Sequence, residues 1–503
     1  MPDGRASPQF RHGVASGDPQ PDGVLIWTRV TPEASGATEV RWRVAADRGL
    51  GEVVAQGEAE ARADHDFTVR VDVRGLDPST TYFYGFEAGD GRSPVGRTRT
   101  GPSGSTDNVR IGVVSCANWV QGYFNAYGHL AERDVDLVVH VGDYLYETAD
   151  RRTKLGRVHQ PRRRLRTLAD YRTRHAQYRT DPDLQRLHAQ HPVVAVWDDH
   201  EVAGNAWRDG ALDHDPEKDG DWGERRAAAV QAYLEWLPVR QPDPRRPDRI
   251  YRTVGLGDVA RLHVLDTRLA GRDRPAAAGG RPVASVLVRD RRLLGDEQWA
   301  WLQEELRAPV RWRLLGNQVM MAPLRLVQVP RPLRRVMPGL VAGGTGVNAG
   351  QWDGYPQERQ QLFDHLRREG IGNVVVLTGD LHSSWAAELT LDAGNPDVPP
   401  VGVEMVTPSV TSRTFGKSLA PPLPGARALL RRVIASQNRH VRWFDLDAHG
   451  YVVVDVTAER VHAEWWHIDT VARPGGGEEL AAAWVVRDGD PHLTPASEPL
   501  PPR

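Results

Sequence analysis

The sequence predicts an α/β protein with an all-β portion at its N-terminus, on three observations. Four valine-rich runs, ending at Val114, Val141, Val196 and Leu377, are bounded by turn residues and read as buried parallel strands. From Val109 onward such runs alternate with helical stretches, the order that builds a sheet covered by helices. Before about Thr100, short strands follow one another with Gly, Pro and Asp turns and no helical pattern.

In chain order, residues 24–30, 40–44 and 67–73 are the first strands, the last two alternating apolar with polar positions. Leu76-Asp77-Pro78 followed by Tyr82 looks like the corner of a fibronectin- or immunoglobulin-like sandwich, where a tyrosine bonds back to the main chain. Residues 10–100 are therefore expected to form a β-sandwich, with a linker at 101–105. Residues 108–470 are expected to form the α/β domain. Its helices are predicted over 168–190, 224–237, 298–306 and 357–368, and further strands over 259–266, 312–315 and 401–406. The alternation over 450–467 suits an antiparallel sheet edge, and residues 471–503 read as a loosely packed, Gly- and Pro-rich tail.

A chain of 503 residues is long for one core, and about two to four structural units are expected. Lys and Arg number 64 against 66 Asp and Glu, so net charge offers no case for nucleic acid or an anionic membrane as partner. No stretch approaches the roughly 18 apolar residues of a spanning helix. The N-terminal residues Met1 to Pro8 lack the charged and apolar segments of a secretory signal. A single cysteine leaves no internal disulfide, so cysteine usage does not report the compartment.

Each valine-rich run is followed at once by residues able to hold a metal. Ligand sites of open α/β sheets lie beyond the carboxyl ends of their strands, and a repeated strand-then-ligand pattern points to metal-assisted hydrolysis. Asp143 follows a strand and Gly142, and its two oxygens could serve two cations. Alone it would read as a helix cap. Asp380, after Gly379 and two residues before His382, repeats the arrangement and weakens that plainer reading. Asp198-Asp199-His200-Glu201 sets four ionisable groups behind a buried-looking strand, costly unless a metal or a network offsets them. Asn205, otherwise a turn residue, could add a hard amide oxygen. Cys116 and Tyr146 are more often a small buried hydrophobe and a core aromatic. As ligands beside a His they favour Fe³⁺ over Zn²⁺ or Mg²⁺, because a phenol ionises at neutral pH only beside a strong charge.

The chain resembles the PhoD-type alkaline phosphatases of the calcineurin-like metallophosphatase superfamily. The resemblance rests on Val14-Ala15-Ser16-Gly17-Asp18-Pro19, Ile26-Trp27-Thr28-Arg29, Ser115-Cys116, Gly142-Asp143-Tyr144-Leu145-Tyr146-Glu147, Trp197-Asp198-Asp199-His200-Glu201, Asp266-Thr267-Arg268, Gly379-Asp380-Leu381-His382 and Thr407-Pro408-Ser409-Val410-Thr411-Ser412. These run in family order from about His12 to Tyr451. The resemblance implies a four-layer α/β/β/α catalytic domain after the sandwich. It implies Fe³⁺ held by Cys116, Asp143, Tyr146 and His382, and one or two Ca²⁺ reached by Asp143, Asn205 and Asp380 with Asp199 and His200 close by; other divalent metals are the alternative. Family members usually carry an export leader, which implies a place outside the cytoplasm, whereas this chain as given shows none and a cytoplasmic place is the alternative.

The implied reaction is in-line attack on a small-molecule or lipid phosphate ester by a metal-bound hydroxide, with His200 as donor to the leaving group. Arg268 and the Ser and Thr residues over 409–412 are weaker candidates for orienting substrate. The arginines over 151–180 read as a solvated helical face or, more sharply, as a basic rim that draws phosphorylated substrates. A phospholipase D-like phosphodiesterase is the near rival, and a surface-binding protein with a vestigial site the distant one. Because the attacking species is a hydroxide, the pH–rate profile should peak on the alkaline side; a sharply acidic optimum would argue against this chemistry.

Overall fold

The computed structural model describes residues 7–31, 36–149, 155–275, 290–325, 350–392, 398–419 and 425–502. Two large sheets face each other. In spatial order the first runs Asp490–Pro495, Glu478–Arg487, Arg460–Ile468, His449–Thr457, Asn108–Val114, Leu137–His140, Pro192–Ala195, Val14–Gln20, Gly23–Arg29 and Thr68–Arg74. The second runs Arg252–Leu256, Ala260–Val264, Trp312–Asn317, Val374–Thr378, Pro400–Val406, Ser384–Thr390 and Val441–Asp445. The centre of each is parallel, as the valine-rich runs predict: Leu137–His140 pairs in parallel with both of its neighbours, and Val374–Thr378 does the same.

One continuous core lies between the sheets, joining Ile111, Val139 and Val194 of the first to Leu262, Leu314, Val375 and Met405 of the second. A separate core covers the outer face of the second sheet with Leu302 and Leu306 of the helix Gly295–Arg307 and Leu362 and Leu366 of the helix Pro356–Arg368. On the other side, Tyr171, Leu184 and Tyr233 from the helices Leu168–Tyr178, Pro182–Gln190 and Trp222–Trp236 join the central core. The layers are therefore helix, sheet, sheet, helix, the four-layer order expected.

The expected single helix over 168–190 is two. Pro182 offers no N–H to continue the first helix and biases Asp181 toward an extended backbone, where its carboxylate caps the second by accepting from Asp183 and Leu184 N–H at 3.1 and 3.2 Å.

The N-terminal strands form a sandwich, with the sheet of Val53–Ala61, Thr38–Ala45, Thr81–Ala88, Gly91–Arg92 and Gly96–Arg99 packed through Val40, Val44, Tyr84 and Phe86 onto Val14, Val24, Ile26 and Val69. The tyrosine corner is present: Tyr82 Oη accepts from Asp77 N–H at 3.0 Å. The sandwich is not a free-standing module, however. Its strand Val14–Gln20 pairs in parallel with Pro192–Ala195, so one of its sheets continues into the catalytic one. Trp27 seals the junction against Trp236 and donates from Nε1 to Glu235 O at 2.7 Å.

Two further expectations need correction. The alternation over 450–467 is not at an edge, because His449–Thr457 pairs with Asn108–Val114 and Arg460–Ile468 pairs with Glu478–Arg487. Residues 471–503 are not a loose tail: they supply the two strands that complete that side of the sheet. Val485, Val486 and Leu493 are buried there, and Leu493 N–H donates to Glu388 Oε1 of the second sheet at 3.0 Å. Among the described residues, no helix is long and apolar enough to cross a membrane. If the C-terminal strands are part of the core, Leu493→Ala should lower unfolding stability by about 2–3 kcal/mol in a denaturant titration. A loss below about 0.5 kcal/mol, the usual range for an exposed position, would restore the tail.

Candidate metal centre

Three neighbouring strands of the first sheet and one of the second end at the same place. Asn108–Val114 leads to Cys116, Leu137–His140 to Asp143, Pro192–Ala195 to Asp198 and Asp199, and Val374–Thr378 to Asp380 and His382. The two sheets touch there through a parallel bridge between Ser115 and Ser409. Gly142 and Gly379 keep the approach open: a methyl on Gly142 would fall 2.4 Å from Asp198 Cβ, and one on Gly379 2.7 Å from Ser115 Oγ.

Five of the predicted ligands have left-handed backbone: Cys116 at φ 62°, Asp143, Asn205 and Asp380 at 56°, and His382 at 53°. For L-residues such conformations cost on the order of 1 kcal/mol or more each and persist where the surroundings hold them, typically at functional sites. Four of these residues, Cys116, Asp143, Asp380 and His382, belong to the groups whose ligand atoms meet there.

The side chains meet in three overlapping groups able to hold a metal ion: Cys116, Asp143 and His382; Asp143, Asp199 and His200; and Asp143, Asp198, Asp199 and Asp380. Asp143 belongs to all three. Its Oδ2 accepts from Tyr146 Oη at 2.7 Å, while its Oδ1 is buried without a hydrogen-bond partner. Tyr146 Oη also lies 3.1 Å from His382 Nε2. The opposite nitrogen of that ring, Nδ1, is 2.9 Å from Arg413 O, which can only accept, so Nδ1 carries a proton and Nε2 is the nitrogen that faces the site.

On the other side of Asp143, Arg268 forms a two-point ion pair with Asp198 and reaches Asp380 Oδ1 at 3.1 Å and Asp199 Oδ1 at 3.4 Å. Gln351 donates to Asp380 Oδ2. Asn205 N–H donates to Asp199 Oδ2, and its residue is exposed. Burial and the neighbouring Asp143 push the Cys116 thiol and the Tyr146 phenol well above their usual values. Burial likewise raises Asp198, against Arg268. For Asp199 burial acts upward, but Arg268 and His200 outweigh it and hold the carboxyl low. Burial disfavours charge on His200, yet Glu147, Asp199 and Asp143 overcome it and raise the imidazolium. So many buried acids beside one guanidinium are a donor set that a cation would satisfy, and the orphan Asp143 Oδ1 fits such a cation.

Two glutamates within these motifs support the site in ways their sequence position alone does not indicate. Glu201 Oε2 accepts from Asp143 N–H at 3.2 Å and Asp198 N–H at 2.8 Å, and Oε1 from Tyr144 N–H at 2.6 Å, so one carboxylate ties two ligand turns together. Burial and Asp143 push it up to about 8. Glu147 Oε2 binds His200 Nδ1 at 2.7 Å and its Oε1 accepts from Gly204 N–H at 2.8 Å. His200 also packs over the Tyr146 ring, centroids 4.2 Å apart. Ser409, Thr411 and Ser412 are buried, and their hydroxyls are bonded to protein groups. Of the arginines over 151–180, residues 151–154 lie outside the described residues. Arg157, Arg163, Arg166 and Arg172 pair with Asp181, Asp170, Asp219 and Glu235, and Arg174 is buried against main-chain carbonyls. Paired or buried in this way, these arginines form neither an open basic rim nor a simply solvated face.

The family described as PhoD-like phosphatase matches residues 111–465, well over half of the chain. The chain belongs to that family. The N-terminal domain of PhoD-like phosphatases matches residues 2–102. Alkaline phosphatase D of Bacillus subtilis (strain 168) is 34% identical over 498 residues, covering 95% of this chain and 81% of that protein. The solved structure of PhoD superposes with a TM-score of 0.87 at 33% identity, over 99% of this chain and 94% of that one. A purple acid phosphatase from yellow lupin (Lupinus luteus) seeds shares the fold at 13% identity, with a TM-score of 0.53 over 94% of this chain and 73% of that one. This PhoD-like phosphatase is a phosphoric ester hydrolase. Because Asp143 is common to every ligand group, Asp143→Ala should leave less than about a tenth of the wild-type rate on p-nitrophenyl phosphate with the fold intact by circular dichroism; a higher residual rate would remove the shared-ligand role.

Proposed function

We propose that this phosphatase hydrolyses phosphate mono- or diesters at a centre holding Fe³⁺ on Cys116, Asp143, Tyr146 and His382 and Ca²⁺ on Asp143, Asp199, Asn205 and Asp380. The observation that carries the reading is the position of Asp143. It is shared by all three ligand groups, one of its oxygens faces Tyr146, and the other is buried without a partner. A thiol, a phenol and an imidazole on one side suit a trivalent iron, and oxygen donors alone on the other suit a hard divalent ion. The ease with which calcium is drawn from extracellular fluid agrees with a place outside the cytoplasm, as the family usually has.

Bound by these residues, two such cations would activate water for attack and offset charge on the phosphate oxygens. The protein's own groups do the rest. Asp143 fixes the spacing of the two sites. Glu147 takes Nδ1–H of His200, which leaves Nε2 to hand a proton to the leaving oxygen. Arg268 offsets the charge of Asp198, Asp199 and Asp380 and keeps them from spreading apart. Asn205, exposed beside Asp199, would contribute a neutral amide oxygen.

Metal analysis joined to activity tests the reading. Pure protein should contain iron and be coloured, Tyr146→Phe should bleach it, and a calcium chelator should abolish turnover that added Ca²⁺ restores. Colourless, iron-free and fully active protein would exclude this ligand set. Parallel assays on p-nitrophenyl phosphate and bis-p-nitrophenyl phosphate then assign the preferred ester.

A further inference from the structure

The buried segment 409–412, with the exposed Arg413 that follows it, contacts three of the four residues assigned to iron. Cys116 O accepts from Thr411 N–H at 3.3 Å and from Ser412 N–H at 3.2 Å. Arg413 O takes Nδ1–H of His382 at 2.9 Å. Ser412 Oγ stands 2.6 Å from Tyr146 Oη and 2.9 Å from Cys116 O.

A serine hydroxyl has one proton to give, and two acceptors are within reach here. A carbonyl oxygen has two lone pairs, and those of Cys116 O are already engaged by the two main-chain N–H groups. The shorter contact is to Tyr146 Oη, whose own proton faces Asp143 Oδ2. The hydrogen bonds thus run in one direction, from Ser412 to Tyr146 to Asp143. A tyrosine oxygen bound to iron can only accept, and Ser412 is the hydroxyl placed to donate to it.

We propose that Ser412 is a positioning residue for the iron site: its hydroxyl donates to the Tyr146 oxygen and sets how strongly that oxygen donates to the metal. This rests on the iron reading above. A hydrogen bond to a ligand atom withdraws electron density from it, and groups behind the ligands tune metal sites in this way. Loss of the donor raises the energy of the tyrosine lone pair, moves the phenolate-to-iron absorption band to longer wavelength and lowers the iron reduction potential.

The test is the visible spectrum of iron-loaded wild-type, Tyr146→Phe, Ser412→Ala, Ser412→Cys and Ser412→Thr proteins. Expected are a bleached Tyr146→Phe, a band shifted to longer wavelength in Ser412→Ala, and a wild-type band in Ser412→Thr, which keeps the hydroxyl. If Ser412→Ala does not fold, Ser412→Cys keeps the volume with a weaker donor and should show a smaller shift in the same direction. An unmoved band in Ser412→Ala or Ser412→Cys, with Tyr146→Phe bleached, overturns the proposal and leaves the iron reading standing. A Tyr146→Phe protein that keeps its colour overturns both.

Discussion

The structure turns on the cost of gathering acids at a buried place. Asp143, Asp198, Asp199 and Glu201 are all buried, with Asp380 beside them, and each approaches through a main chain held by the packed ends of strands. Water cannot solvate these groups, so their charge has to be met by protein or by cations. Arg268 answers for part of it, and the main-chain N–H groups on Glu201 answer for another part. The remainder converges on Asp143. The left-handed turns at Cys116, Asp143, Asp380 and His382 add backbone strain at the same place, held by the sheets on either side.

The rest of the architecture keeps that crowding in place. The core between the sheets fixes the strand ends, and the helices on both outer faces leave neither sheet free to shear. The N-terminal sandwich adds to this directly, since its strand Val14–Gln20 extends the sheet beside Pro192–Ala195, the strand that ends in Asp198 and Asp199. Trp27 and Trp236 close the junction. The sandwich thus buttresses the site by continuity of hydrogen bonding.

Much of this was legible in the sequence because it is local. A valine-rich strand, a turn and a ligand are contiguous, so Cys116, Asp143, Asp199, Asp380 and His382 could be recognised and the structure brings them together. The tyrosine corner at Tyr82 is likewise a short-range motif. What escaped is tertiary or weakly patterned. Gln351 reaches Asp380 from a loop without a local signature, and the joining of the sandwich to the catalytic sheet depends on pairing across 176 residues between Ser16 and Pro192. The strand Glu478–Arg487 begins with glutamates and a run of alanines that are half-exposed, so its sequence carries little alternation, and its place is set by the neighbour it pairs with. Glu147 and Glu201 were visible as charges, but their partners are main-chain groups of distant turns, which no spacing rule reveals.

The central claim is that Asp143 is shared by an iron and a second, different cation. Anomalous diffraction from a crystal of the purified holoprotein, recorded above and below the iron edge, tests it directly. The account predicts one iron peak within bonding distance of Cys116 Sγ, Asp143, Tyr146 Oη and His382 Nε2, and a second density without an iron signal on the other Asp143 oxygen. Iron bound elsewhere, or an Asp143 that touches a single ion, would contradict it.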